Sequence, residues 1–168
     1  MPQRSRAART LRAMTLHSDA QREHRRHSVA CFNAAWELMD SRDRSPEDDL
    51  RMVEHCMASI HHWRSRDDCK PKNLSIGYWQ ASRIASLLGQ REGAARHAVT
   101  CLDLSRDLGP FLRGYAEEAT ARAALIAGDV RRAEIHLKQA KALCAEVTDP
   151  QGRGMLDADL IELANQLP

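Results

Sequence analysis

Eight histidines and five cysteines are the residues of this chain with the widest chemical repertoire. His24, His27 and Cys31 stand at i, i+3 and i+7, which puts two imidazoles and a thiol on one helix face, as a transition-metal site requires. Arg22, Arg25 and Arg26 surround them, and their charge repels a cation. The expectation is therefore a solvated face ending in a buried Cys31, without a metal. His55 and His62 share a second face, from which His61 points about 100° away. His61, His62 and His97 are the candidates for acid–base or metal chemistry in an inter-helix pocket. They define one alternative reading, a small enzyme or metal-binding protein. The preferred reading assigns no catalytic residue, no metal and no cofactor.

Other routes to catalysis are weaker. There is no G-x-S-x-G, no C-x-x-C and no cysteine in a recognisable catalytic context. Cys101 falls where a small packing residue is needed. The adjacent acids Asp48-Asp49 and Asp67-Asp68 occupy a helix start and a loop, where charge is expected. Gly152-Arg153-Gly154 is too short to cradle a phosphate.

Any such residues must be held by helices. Hydrophobic residues make up 43% of the chain and charged residues 29%, an ordinary globular balance, while aromatics are scarce at 4%. Ala, Leu and Arg are abundant, which favours helices packed through small side chains. The net charge of +2 is uneven: residues 1–27 carry seven Arg against Asp19 and Glu23. Residues 1–19 read as a basic, disordered arm and 20–168 as one helical domain. The arm is Arg-rich and acid-poor, so a transit peptide or a nucleic-acid-associated adaptor are lesser alternatives. The longest apolar run, Ala123 to Ala127, is far short of the roughly 20 residues of a membrane span. Widely spaced cysteines, odd in number, suit a reducing compartment. The expectation is a soluble, cytoplasmic protein with no membrane contact; a homo-oligomer is compatible.

Stop and start signals divide the chain into six or seven helices. The first runs from about Ala20 to Met39, with Val29, Phe32, Trp36 and Met39 on one face. Ser45, Pro46 and Asp48 form a start signal for the second, Ser45 as N-cap and Asp48 closing a capping box. Its apolar stripe is Leu50, Val53, Met57 and Ile60. Asn73 reads as the next N-cap, opening a helix that stops at Gly89. Helices follow from about Glu92 to Asp107, from Phe111 to Ala127, and from Asp129 as cap to about Val147. A terminal capping helix spans 150–167. No segment alternates with period two, so the fold class is all-α.

Two of these hairpins repeat. Gly89 and Gly128 are 39 residues apart, as are Ala94 and Ala133, Cys101 and Ala140, Ala85 and Ala124. Antiparallel helices joined by a tight turn need glycine at the left-handed C-cap and small side chains where backbones approach. The pattern resembles the tetratricopeptide repeat (TPR) family. Gly89 and Gly128 match the glycine of its inter-helix turn, and Ala94 and Ala133 its alanine early in the second helix. Its first-helix aromatic has a counterpart in Tyr78, replaced by Glu117 in the second copy. The spacing exceeds the family's usual length of about 34. The clearest copies are 73–109 and 110–147, and Ser45 to Trp63 fits the second helix of an earlier one. His61-His62-Trp63, Gly77-Tyr78-Trp79 and Ser82-Arg83 are also similar to bacterial helical-repeat proteins, a likeness that implies no activity.

The resemblance implies a short stack of antiparallel hairpins whose first helices line a concave groove. The groove-facing positions it assigns are Ile76, Trp79 and Arg83, then Tyr115, Glu118 and Arg122. Arg83 and Arg122 are repeat equivalents. Two guanidinium groups beside an indole and a phenol suit an acidic or planar ligand. The structural alternative is that Arg83 pairs with Glu118 and ties neighbouring helices together. The function expected from sequence is a non-catalytic binding or scaffold module for a peptide, a protein or a small acidic ligand.

Overall fold

The computed structural model describes the backbone of residues 3–168 and the side chains from residue 14 onward. Its elements are α1 (Gln3–Asp40), α2 (Pro46–Arg64), α3 (Pro71–Leu87), α4 (Arg91–Ser105), α5 (Pro110–Ala127), α6 (Val130–Glu146) and α7 (Pro150–Ala164). The described residues contain no strand. Among them no helix is long and apolar enough to cross a membrane.

Most boundaries follow local chemistry. Ser45 Oγ accepts the Asp48 amide at 3.2 Å, and Asp48 Oδ2 accepts the Ser45 amide at 3.1 Å, which closes the box at the start of α2. The Asp129 carboxylate caps α6 by accepting the Arg132 amide at 3.0 Å. Asp149 caps α7 through the Gly152 amide at 2.7 Å. Asn73 is not an N-cap: α3 starts two residues earlier at Pro71, and Asn73 Oδ1 reaches back to the Lys70 amide at 3.0 Å. Proline at the first helical position supplies the right φ and lacks the amide that would go unbonded.

A second departure is at the N-terminus. The division expected at residues 19 and 20 lies inside α1, which runs unbroken across it. No Gly or Pro interrupts residues 3–40, and helix extension adds one hydrogen bond per residue fixed. Tertiary contacts begin before residue 20 as well. His17 Nε2 lies 2.8 Å from Asp67 Oδ2. Gln21 donates to the Ser65 carbonyl at 3.0 Å and accepts the Asp67 amide at 2.9 Å. The loop between α2 and α3 is thereby tied to α1.

Three antiparallel hairpins, α1–α2, α3–α4 and α5–α6, are stacked in chain order, and α7 closes the end against α5 and α6. Within the stack α3 packs on α5 and α5 on α7. Small residues fill the close approaches: Ala94, Ala116, Ala121 and Ala140 are all 0% exposed. Ser82 Oγ donates to the Ala94 carbonyl at 3.0 Å, between α3 and α4. The buried face of α2 is Met52, Cys56, Ser59 and Ile60. It is rotated from the expected stripe, and Leu50 stays 67% exposed. The small Ser59 explains this: its hydroxyl donates to the Ser28 carbonyl of α1 at 2.7 Å, a contact that a bulky residue would hold apart. Val29, expected on the core face of α1, is likewise exposed.

Gly89 and Gly128 have φ of 68° and 85°. Both turns therefore use the left-handed conformation that glycine adopts freely. Gly128→Val is expected to destabilise the protein by more than about 1 kcal/mol, because a β-branched residue resists positive φ. Nothing lies within 4 Å of a Cβ built there, so the loss would report backbone strain alone. A urea midpoint equal to the parent's would show that the turn tolerates another backbone.

Candidate ligand-binding groove

The side chains facing the inside of the stack come from α1, α3, α5 and α7. Five of them, Trp79, Arg83, Tyr115, Glu118 and Arg122, are the positions that the repeat register assigned to the groove, and the structure brings all five together. Glu118 is the hub and is 0% exposed. The Trp79 indole donates to its Oε2 at 2.8 Å. Arg122 Nε donates to Oε1 at 2.7 Å. Arg122 Nη2 lies equally close to that oxygen, but at an angle that makes no second hydrogen bond. Burial opposes the charge of Arg122, yet Glu118 and then Glu162 outweigh it, and the guanidinium is held more firmly protonated than usual.

Arg83 does not have Glu118 as its main partner. Its Nη1 is 3.8 Å from Glu118 Oε1 but donates to Asp159 Oδ1 of α7 at 2.9 Å. Asp159 Oδ2 accepts the Tyr115 hydroxyl at 3.0 Å. Glu162, one turn further along α7, lies 3.6 Å from Arg83 and 3.5 Å from Arg122. Burial first, and the Asp159 charge second, push the Tyr115 phenol well above its ordinary pKa, so it stays neutral. The two guanidinium groups, read from sequence either as a wall for an acidic ligand or as a tie to Glu118, are held in an ionic network that is buried at Glu118 and Arg122 and exposed at Glu162. Its three carboxylates against two guanidinium groups leave a formal charge of −1.

The network separates two cavities that share Trp36. One, of about 440 Å³, is lined by Phe32, Trp36, Ser75, Ile76, Trp79, Phe111, Leu112, Tyr115, Met155 and Asp159. The chain has three Trp, two Tyr and two Phe, and all but Trp63 and Tyr78 face this space. Trp79 and Tyr115 meet edge to face at 68° and Phe111 and Tyr115 at 83°, each pair with centroids 5.0 Å apart, while Trp36 and Trp79 are tilted at 40° with centroids 5.5 Å apart. The second cavity, of about 350 Å³, is polar, with Arg83, Arg122, Asp40 and Glu162 in its wall. The repeat register did not supply Phe32, Trp36, Phe111, Met155, Asp159 or Glu162. The available signals were the apolar face of α1 and the i, i+3 acids of α7, which gain meaning only when those helices oppose α3 and α5.

The histidine candidates lie away from this groove and line neither cavity. His97 packs on the Tyr78 ring, 5.8 Å between centroids. His61 and His62 contact each other and His24, and His62 stacks on His27 at 5.2 Å. Cys31 is only half-buried. Among the described residues, no group of three His, Cys, Asp or Glu side chains is arranged to hold a metal ion. Burial pushes the Cys56 thiol up to about 12 and the Cys101 thiol up to about 11, away from the thiolate that nucleophilic attack needs.

His24 Nδ1 and His62 Nδ1 are 2.9 Å apart. One must donate and the other accept, so the bridge requires one neutral ring. Burial, then the neighbouring His24, His27 and His61, hold His62 below its ordinary pKa of 6.5. Glu23 and Arg26 face the cluster through His27. With the folded value depressed, the unfolded chain binds more protons as pH falls below 6.5. Stability from this contact is complete above that pH and declines below it. The fall in melting temperature between neutral and mildly acidic buffer is expected to be smaller in His62→Gln than in the parent. Identical pH profiles would remove the cluster from the acid response.

No protein-family model, no curated protein and no solved structure matches this chain.

Proposed function

We propose that the chain is a non-catalytic binding module, a short TPR-like stack that holds an apolar-bodied ligand or a partner's side chain in its concave groove. The observation that carries this reading is the aromatic cavity of about 440 Å³ beside an ionic network that links α3, α5 and α7. Its size falls in the range of small-molecule sites, and so does its make-up of apolar walls with few fixed polar groups. The ionic network ties α3 and α5 to α7 and so pre-shapes the wall, which lowers the entropy lost on binding. The five free cysteines fit a reducing, cytoplasmic setting.

The geometry narrows the ligand expected from sequence. Arg83 and Arg122 are already paired with carboxylates of their own chain, so an acidic ligand competes with Asp159 and Glu162 for them. An apolar body in the aromatic cavity meets no such competitor. Toluene is the simplest probe. It is expected to shift the indole N–H resonances of Trp36 and Trp79 saturably, and to leave Trp63, which lies under Arg66, unmoved. Leu112→Trp, which fills the cavity from the α5 side, is expected to abolish the shifts without lowering the melting temperature. Shifts that rise linearly to the solubility limit, or that survive in Leu112→Trp, would overturn the reading.

A further inference from the structure

We infer that the cavity selects a ligand bearing an organic cation, a substituted ammonium group on an apolar body; this rests on the binding-module reading above. Three observations combine. First, the cavity wall contains no Lys, Arg or His, and Asp159 is its one charged residue. Second, the network directly beneath it carries one carboxylate more than it has guanidinium groups. Glu118 is fully buried and Asp159 is 22% exposed, so these two charges act more strongly than in water, while Glu162, 53% exposed, is the more screened. Third, the walls are aromatic, and neighbouring rings stand at 68° and 83° to one another. None of these pairs stacks flat, so the lining rings lie in several planes. The face of an aromatic ring is electron-rich and attracts a cation within about 6 Å.

The chain's own cation already uses this wall. The Arg83 guanidinium carbon lies 5.7 Å from the centre of the Trp79 ring, on the side of the polar cavity. Asp159 has capacity left: one oxygen accepts Arg83 and the other Tyr115, and each carboxylate oxygen can accept again. Tyr115 is held neutral, so it contributes a ring face and a dipole without an opposing charge. An anion in the same space would meet ring faces of its own sign and the excess carboxylate. A neutral ligand would gain the apolar contact alone.

Three probes of nearly equal shape and different charge separate these cases. They are benzyltrimethylammonium, its neutral isostere 2,2-dimethylpropylbenzene, and benzylsulfonate. Affinities are read from the Trp36 and Trp79 indole resonances of the full chain. The cation is expected to bind about 10- to 30-fold more tightly than the neutral isostere, with the sulfonate weakest. Asp159→Asn is expected to bring the ratio of cation affinity to neutral-isostere affinity close to one, whatever it does to each affinity alone. If that variant fails to fold, the order of the three probes on the parent chain decides the matter. Equal binding of the cation and its neutral isostere, or tighter binding of the sulfonate, would overturn the inference while leaving the cavity as a binding site. Failure of toluene and all three probes would remove the binding-module reading as well.

Discussion

Glu118→Ala is expected to destabilise the protein by about 3–5 kcal/mol, the cost of leaving one partner of a buried ion pair uncompensated. Glu118 is completely buried, and Arg122 is 8% exposed. Removing the carboxylate strands that guanidinium with only the more distant, half-exposed Glu162 at 3.5 Å. It also leaves the Trp79 indole N–H, which now donates at 2.8 Å, without its acceptor. The loss is therefore larger than for an exposed pair, which contributes about 0–1 kcal/mol. Glu118→Gln keeps an oxygen for the indole and should lose less. Combining Glu118→Ala with Arg122→Met removes both charges, and the double variant is expected to be more stable than Glu118→Ala alone. Urea unfolding with a constant m-value measures all three. A change below about 1 kcal/mol for Glu118→Ala would show that water reaches the network and that the hub is not a hub.

Leu156→Ala is expected to cost about 2–5 kcal/mol, the range for emptying a well-packed core site. Leu156 is 0% exposed and lies in a notch over Gly114 of α5. A Cβ built on Gly114 would come within 2.6 Å of Leu156 Cδ2. The glycine is thus there for close approach, and α7 seats on α5 through this pair. Because Asp159 lies one turn from Leu156, loosening this seat also displaces the carboxylate that holds Arg83 and Tyr115. Gly114→Ala alone should destabilise through overpacking. The pair Gly114→Ala and Leu156→Ala should lose less than the sum of the singles, because the added methyl occupies part of the space the leucine vacates. Additive losses would show that the two residues do not share one contact.

Much of the architecture can be read along the chain because its causes are local. Capping oxygens, prolines at first helical positions and glycines at left-handed turns act within a few residues, so Ser45, Asp129, Gly89 and Gly128 announce their helix ends. The repeat adds one longer rule. Stacked copies place equivalent positions side by side, which is why Trp79 and Glu118, 39 residues apart, share a hydrogen bond of 2.8 Å. That rule put Trp79, Arg83, Tyr115, Glu118 and Arg122 on one inner face, where the structure brings them together.

It could not reach further, because α1 and α7 are not copies of the repeat. Phe32 and Trp36 carry no register that points them at Trp79. Asp159 and Glu162 look like ordinary surface acids of a terminal helix. The same limit applies to the histidines. Helical spacing sets His24 beside His27, and His61 beside His62, but their meeting depends on how α1 crosses α2. That crossing is set by Ser28 and Ser59, whose small size a periodicity argument overlooks in favour of Leu50. Charge shows the difference most clearly. Spacing along the chain established that Arg83 and Arg122 face the same groove. Whether they are free to bind an anion or already held by carboxylates is a matter of through-space distance. Packing of α7 against α5 sets that distance, and it places both guanidinium groups among three carboxylates, two of them on α7.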